Sequence, residues 1–79
     1  MEISEREKLV LNAIVDYYLT IGETIGSRTL VKKYGIELSS ATIRNVMADL
    51  EDMGFIEKTH TSSGRIPYLL GVIINLLHI

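Results

Sequence analysis

Two adjacent polar residues, Arg44 and Asn45, carry side chains that could read the edges of DNA bases. A guanidinium can donate two hydrogen bonds to guanine, and a carboxamide can pair with both groups that adenine presents in the major groove. Ser40, Ala41 and Ala48 lie nearby and are small enough to let a helix approach the bases closely. This pattern is typical of a helix that enters the major groove.

A second group of residues could hold phosphate. Backbone amides from Ser39 to Thr42 would lie at the start of the same helix, where N–H groups without helical partners favour an anion. We expect Arg28, Lys32 and Arg65 to be electrostatic anchors, because they fall where a bound duplex would bring its backbone. The full DNA-binding set predicted from the sequence is Ser27, Arg28, Lys32, Ser39, Ser40, Thr42, Arg44, Asn45, His60, Ser63 and Arg65.

Charge is distributed unevenly along the chain. The formal net charge of −2 at pH 7 does not by itself favour nucleic acid as a partner. Residues 26–48, however, contain four basic residues against the single acid Glu37, which gives this segment a net charge of +3. The middle of the chain therefore suits phosphate, although four of eight basic residues could also cluster by chance.

Composition argues against several other classes of protein. The chain has 79 residues, 47% of them hydrophobic and 23% charged, which is typical of one small globular domain. Cysteine is absent and only two histidines occur, so we expect no metal and no cofactor. Nothing in the sequence places a base and an orienting carboxylate beside a candidate nucleophile, so we do not expect this protein to be an enzyme.

The expected location is the cytoplasm. The start of the chain lacks the basic head and apolar run of a signal peptide. Its longest apolar stretch, from Tyr68 to Ile79, is too short to cross a bilayer, so no membrane contact is expected.

A first amphipathic helix is predicted from about Ser4 to Thr20, ended by Gly22. Ser4 and Glu7 have the spacing of a capping box, in which each side chain bonds to the backbone N–H of the other residue. The residues predicted to face the core are Val10, Ile14, Tyr17, Tyr18 and Ile21.

Two shorter helices follow and form the predicted helix-turn-helix. The first is predicted to start near Gly26-Ser27, with Ser27 as its cap, and to end at Gly35. The second is capped by Ser39 and runs to about Met53, and the short joint between the two suits a helix-turn-helix. The residues predicted to face the core are Leu30, Val31 and Tyr34 in one helix, and Ile43, Val46 or Met47, and Leu50 in the other.

A β-hairpin is predicted after the helices. Residues 55–60 favour a strand, residues 61–64 form a turn cluster, and Arg65 to Pro67 resume an extended run. The predicted fold is mainly α with a small β-hairpin, a winged helix-turn-helix with three helices plus a wing. Residues 1–67 would be the DNA-binding domain and residues 68–79 an apolar tail.

The tail has apolar residues around most of its circumference if it is helical. A helix packed on a domain buries one stripe, so such a tail would expose an apolar patch. We expect residues 68–79 to mediate a symmetric homodimer, whose two-fold axis would match an inverted repeat in DNA. The alternative is that the tail packs over the domain's own core.

Several blocks of the sequence occur together in one known family. The most specific are Gly26-Ser-Arg-Thr-Leu30, Ser39-Ser-Ala-Thr-Ile-Arg-Asn45 and Thr59-His-Thr-Ser-Ser-Gly-Arg-Ile-Pro67. Over residues 3–67 the chain resembles the N-terminal domain of the heat-inducible transcription repressor family, HrcA. The resemblance implies a dimeric repressor of chaperone genes that binds an inverted-repeat operator, with a chaperonin as partner. After Pro67 the sequence departs from the family's pattern.

The predicted function is sequence-specific binding of double-stranded DNA by a transcriptional repressor. The alternative is a winged-helix protein-interaction module that has lost DNA binding and pairs with protein through its apolar tail. For Arg44 the corresponding alternative is a local contact with Asp49 on the same helix.

Overall fold

The computed structural model describes residues 3–58, 64–68, 71–72 and 76. These residues form three helices, α1 (Glu5–Ile21), α2 (Ser27–Tyr34) and α3 (Ser40–Asp52), followed by two strands, β1 (Ile56–Lys58) and β2 (Arg65–Pro67). The strands pair antiparallel, with Lys58 opposite Arg65. The predicted winged helix, three helices plus a hairpin, is confirmed.

The ends of α1 and α3 follow the predicted capping chemistry. Ser4 Oγ accepts a hydrogen bond from the Glu7 N–H at 3.1 Å, and the Ser4 N–H donates to Glu7 Oε1 at 2.8 Å. The helix ends at Gly22, whose positive φ of 81° suits glycine. Ser39 caps α3 by accepting from the Thr42 N–H at 3.1 Å.

The start of α2 differs from the prediction. Gly26, not Ser27, is the N-cap, and it makes no side-chain capping hydrogen bond. The preceding residue, Ile25, forms an isolated antiparallel bridge with Arg65, with N···O distances of 3.3 and 3.0 Å. This bridge holds the chain extended up to Gly26, so Ser27 is already the first residue of the helix.

The core lies between α1, α2, α3 and the base of the hairpin. All the inward residues predicted for α3 are buried, and Leu30 is buried from α2. Tyr18 and Ile21 of α1 were predicted to be inward but are exposed, because the last turn of α1 extends past the elements that cover its middle. The buried apolar residues are Val10, Leu11, Ala13, Ile14, Val15, Ile25, Leu30, Ile36, Ile43, Val46, Met47, Leu50, Phe55 and Ile56.

The beginning of the tail packs on this core. The Tyr68 N–H donates to the Phe55 carbonyl at 2.9 Å, and the partly buried Val72 packs against the core residues. Gly71 is buried beside Phe55. These contacts favour the alternative that the tail covers the domain, as far as residue 72. The boundary predicted at Pro67 stays a prediction.

We expect Gly71→Ala to destabilise the domain by about 1–3 kcal/mol, the usual cost of overpacking. A Cβ at this position would overlap the backbone carbonyl oxygen of Phe55, which cannot rotate away. Urea denaturation followed by circular dichroism measures the free energy of unfolding. Leu19→Ala, at an exposed position of α1, is the control and should change it by less than about 0.5 kcal/mol. Equal stability of Gly71→Ala and the wild type would show that Gly71 is not held in this position.

Candidate nucleic-acid interface

Helix α3 presents the predicted reading residues to solvent. Arg44, Asn45 and Ala48 are exposed, whereas Ile43 and Met47 face the core. The 3.6-residue period of the helix separates these two sets, so the buried residues fix the direction in which the polar ones point. Within residues 3–58 no ion pair joins Arg44 to Asp49, so the local contact considered as an alternative is not formed.

A basic groove runs beside α3, where α2, α3 and the hairpin meet. It is open to solvent and has a volume of about 620 Å³. Four of the predicted residues lie along it, one of them, Arg44, from α3. The residues that line the basic groove are Thr24, Gly26, Ser27, Arg28, Thr29, Arg44, Met47, Lys58, Gly64 and Arg65.

Arg65 does not have the open position expected of a phosphate anchor. Its side chain is only 9% exposed, and its Nε donates to Glu51 Oε1 at 2.6 Å. Glu51 comes from the last turn of α3, so the ion pair joins the hairpin to that helix. The negative charge of Glu51 offsets the positive charge of Arg65. A direct contact between Arg65 and DNA stays a prediction.

Lys58 is a basic residue of the groove that the sequence analysis did not single out. It is exposed at the end of β1, directly opposite Arg65 in the hairpin. To place Lys58 near α2, one must know the register of the hairpin, which the sequence does not define. The alternation within β1, buried Ile56 before exposed Glu57 and Lys58, is too short to define that register.

The remaining predicted residues occupy different positions. Arg28 and Lys32 are exposed on α2, as expected of anchors, and Ser40 is half-buried. Ser39 Oγ also donates to Thr42 Oγ1 at 2.9 Å, so both side chains are engaged in capping α3. The Thr42 amide is likewise used by the cap, which leaves fewer amides for a phosphate. The predicted contacts at His60 and Ser63 lie outside the described residues.

Contacts between α1 and α2 hold α2 in place. The Tyr34 hydroxyl donates to Asp16 Oδ2 at 2.8 Å. Burial of the phenol, and to a smaller extent this hydrogen bond, raises the pKa of Tyr34 to about 12. The tyrosine therefore stays neutral and its hydroxyl can donate to Asp16. The Lys33 ammonium lies 5.9 Å from the centre of the Tyr17 ring, so this lysine packs toward α1.

Two other kinds of feature are not found in the described part of the chain. Its residues include no cluster of three or more histidine and carboxylate side chains that could hold a metal ion. None of the helices in the same ranges is long and apolar enough to cross a membrane.

Comparison with known proteins gives close relatives. The heat-inducible transcription repressor HrcA of Fusobacterium nucleatum subsp. nucleatum is 92% identical over 71 residues, which cover 90% of this chain and 20% of the relative. HrcA of Syntrophobacter fumaroxidans is 59% identical over 66 residues, 84% of this chain and 19% of that protein. The chain thus spans about a fifth of the length of these curated relatives. No family model matches the chain.

One solved structure has the same fold. It is the crystal structure of a hypothetical protein at 2.2 Å resolution, with a TM-score of 0.91 and 38% sequence identity. The match covers 96% of this chain and 24% of the other. The helices and the hairpin described above therefore occur in an experimentally solved protein.

We expect Arg65→Met to lower the free energy of unfolding by about 1.5–3 kcal/mol, the range for hydrogen bonds to charged groups. The substitution keeps the apolar stem but removes the guanidinium, which leaves Glu51 without this partner. Glu51→Gln should cost less, because the amide oxygen can still accept a hydrogen bond from Arg65.

Glu57→Gln is the matched control, since Glu57 is exposed on β1. Urea denaturation of the three variants and the wild type makes the comparison. If Arg65→Met is as stable as the wild type, the ion pair contributes nothing to holding the hairpin.

Proposed function

We propose that this chain is a sequence-specific DNA-binding domain of a heat-inducible transcription repressor. It matches the N-terminal part of such repressors over about 90% of its length, which confirms the resemblance found in its sequence. The observation that carries the proposal is the exposed pair Arg44 and Asn45 on α3, beside a groove lined by basic residues.

Helix α3 would enter the major groove and read bases. Arg44 would donate to guanine and Asn45 would pair with adenine, each with discrimination of about 1–3 kcal/mol against a wrong base. The small residues Ala41 and Ala48 are exposed on the same helix and would allow close approach. The acids Asp49 and Asp52 lie toward the other end of α3, away from the residues that would contact DNA first.

Backbone contacts would come from α2. Arg28 and Lys32 are exposed on this helix, and Arg28 lines the basic groove. Such contacts do not depend on base sequence, so they position the domain and supply the salt-dependent part of the affinity. Ser27, Ser39, Ser40 and Thr42 would add hydroxyl or amide donors near the phosphates.

Repression would follow from occupancy of an operator. An inverted repeat calls for two copies of the domain related by a two-fold axis, so the bound form would be a homodimer. The relatives are named heat-inducible transcription repressors, and the family resemblance suggests chaperone genes as targets. The protein would act in the cytoplasm without catalysing a reaction. A chaperonin partner is suggested by the family resemblance alone.

We expect Arg44→Ala to weaken binding to an inverted-repeat operator by about 1–3 kcal/mol and to weaken binding to a scrambled duplex less. The reason is that a base contact contributes only at the cognate sequence. A gel-shift titration of both duplexes at one fixed salt concentration measures the two losses. Equal losses would mean that Arg44 contacts only phosphate. A folded wild type that binds neither duplex would instead favour the protein-interaction module.

We also expect the intact chain to self-associate through residues beyond Val72. The exposed side chain of Leu76, 63% accessible, is the described part of that surface. Light scattering at tens of micromolar should give a dimer for the intact chain and a monomer for a chain ending at Val72. The shorter chain keeps the contacts of Gly71 and Val72 with the core, so its folding serves as the control. Two monomers would contradict this expectation.

A further inference from the structure

We propose that Lys58 of β1 and Arg28 of α2 together hold one phosphate of the DNA backbone in the basic groove. This inference rests on the proposed DNA binding and adds to it a specific phosphate site. It also assigns to Lys58 the contact at the hairpin that the sequence suggested for Arg65.

The charge of the groove points to an anion. Of the ten lining residues that the structure describes, four are basic and none is acidic, in a chain whose formal net charge is −2. The charge of Arg65 is offset by Glu51 at 2.6 Å. In the described part of the chain no ion pair involves Arg28, Arg44 or Lys58, so three cations face one open groove.

The other lining residues suit a phosphate group. Thr24, Ser27 and Thr29 contribute hydroxyl groups, which can donate to phosphate oxygens. The volume of about 620 Å³ lies within the range of about 300–1,000 Å³ for pockets that hold small ligands, so a segment of sugar-phosphate backbone has room to enter.

Lys58 is held at a defined place along this groove. Its strand partner Arg65 is fixed by the ion pair to Glu51 and by the backbone bridge to Ile25. Lys58 therefore lies on the part of the hairpin that is attached to α3 and to the start of α2. An ammonium group on a flexible stem then suits a single phosphate oxygen, because it acts as a compact point charge.

Arg44 lines the same groove from α3, which gives the phosphate site its relation to base reading. A phosphate held between Lys58 and Arg28 would lie beside the helix whose Arg44 reaches the bases. The contact would therefore set the register of α3 in the major groove, as phosphate contacts generally do.

The test compares Lys58→Gln with Lys8→Gln, which makes the same change of charge on α1, outside the residues that line the groove. Binding to an inverted-repeat duplex is measured between 50 and 200 mM salt. Loss of one whole phosphate contact would lower the salt slope by about 0.9, which reduces the loss of affinity over this range by about 3.5-fold, and Lys58→Gln should lower the slope by up to this amount because Arg28 remains. The slope of Lys8→Gln should equal that of the wild type.

A second arm locates the phosphate. Single phosphates of the duplex are replaced in turn by uncharged methylphosphonates. At one position the substitution should weaken wild-type binding, weaken binding of Lys58→Gln and of Arg28→Gln less, and cause no further loss for the variant that carries both changes. Thermal unfolding of each variant confirms that the domain is folded.

The outcomes separate this inference from the proposed function. If the wild type binds the operator with a steep salt slope and Lys58→Gln keeps that slope, the phosphate site is wrong and DNA binding stands. If the wild type binds no duplex, the proposed function itself fails. If titration calorimetry shows that inorganic phosphate binds the wild type but not Lys58→Gln, and a saturating duplex does not displace it, the groove binds a free anion away from the DNA and the inference is overturned.

Discussion

The candidate interface depends on the ion pair between Arg65 and Glu51. Arg65 bonds through its side chain to the end of α3 and through its backbone to Ile25, just before α2 begins. A buried arginine is stable only when its charge and its donors are matched, so the carboxylate and the hairpin must come together in this geometry. The groove between α2, α3 and the hairpin results from that meeting, and its shape would change if any one of the three elements moved.

The two faces of α3 combine a contribution to the core with an exposed polar surface. Ile43 and Met47 are completely buried, so rotation of the helix would remove apolar surface from the core. The same constraint holds Arg44 and Asn45 in the direction that a DNA groove would require. The helix can therefore present polar side chains without a separate support for each of them, because the core supplies the orientation.

Features that depend on neighbouring residues could be predicted from the sequence, whereas contacts between residues far apart in the chain could not. The capping box at Ser4 and the inward stripe of α3 follow from spacing within one helix, and both are observed. The bridge of Ile25 to Arg65 could not be predicted, because it joins segments far apart in the chain. The burial of Arg65 and the position of Lys58 beside the groove could not be predicted for the same reason. Exposure of Arg44 could be predicted, since it depends only on the period of its own helix.

The bridge between Ile25 and Arg65 also has a consequence for the order in which contacts form and break. Forty positions separate the two residues, so closing this loop costs chain entropy that the turns of a helix do not require. The contact becomes favourable only when the helices between them have already packed. In native-state hydrogen exchange, we expect the amides of this bridge to open before those in the middle of α1 and α3. The candidate interface would then exist only in the completely folded molecule, and partly opened forms would retain helices without the basic groove.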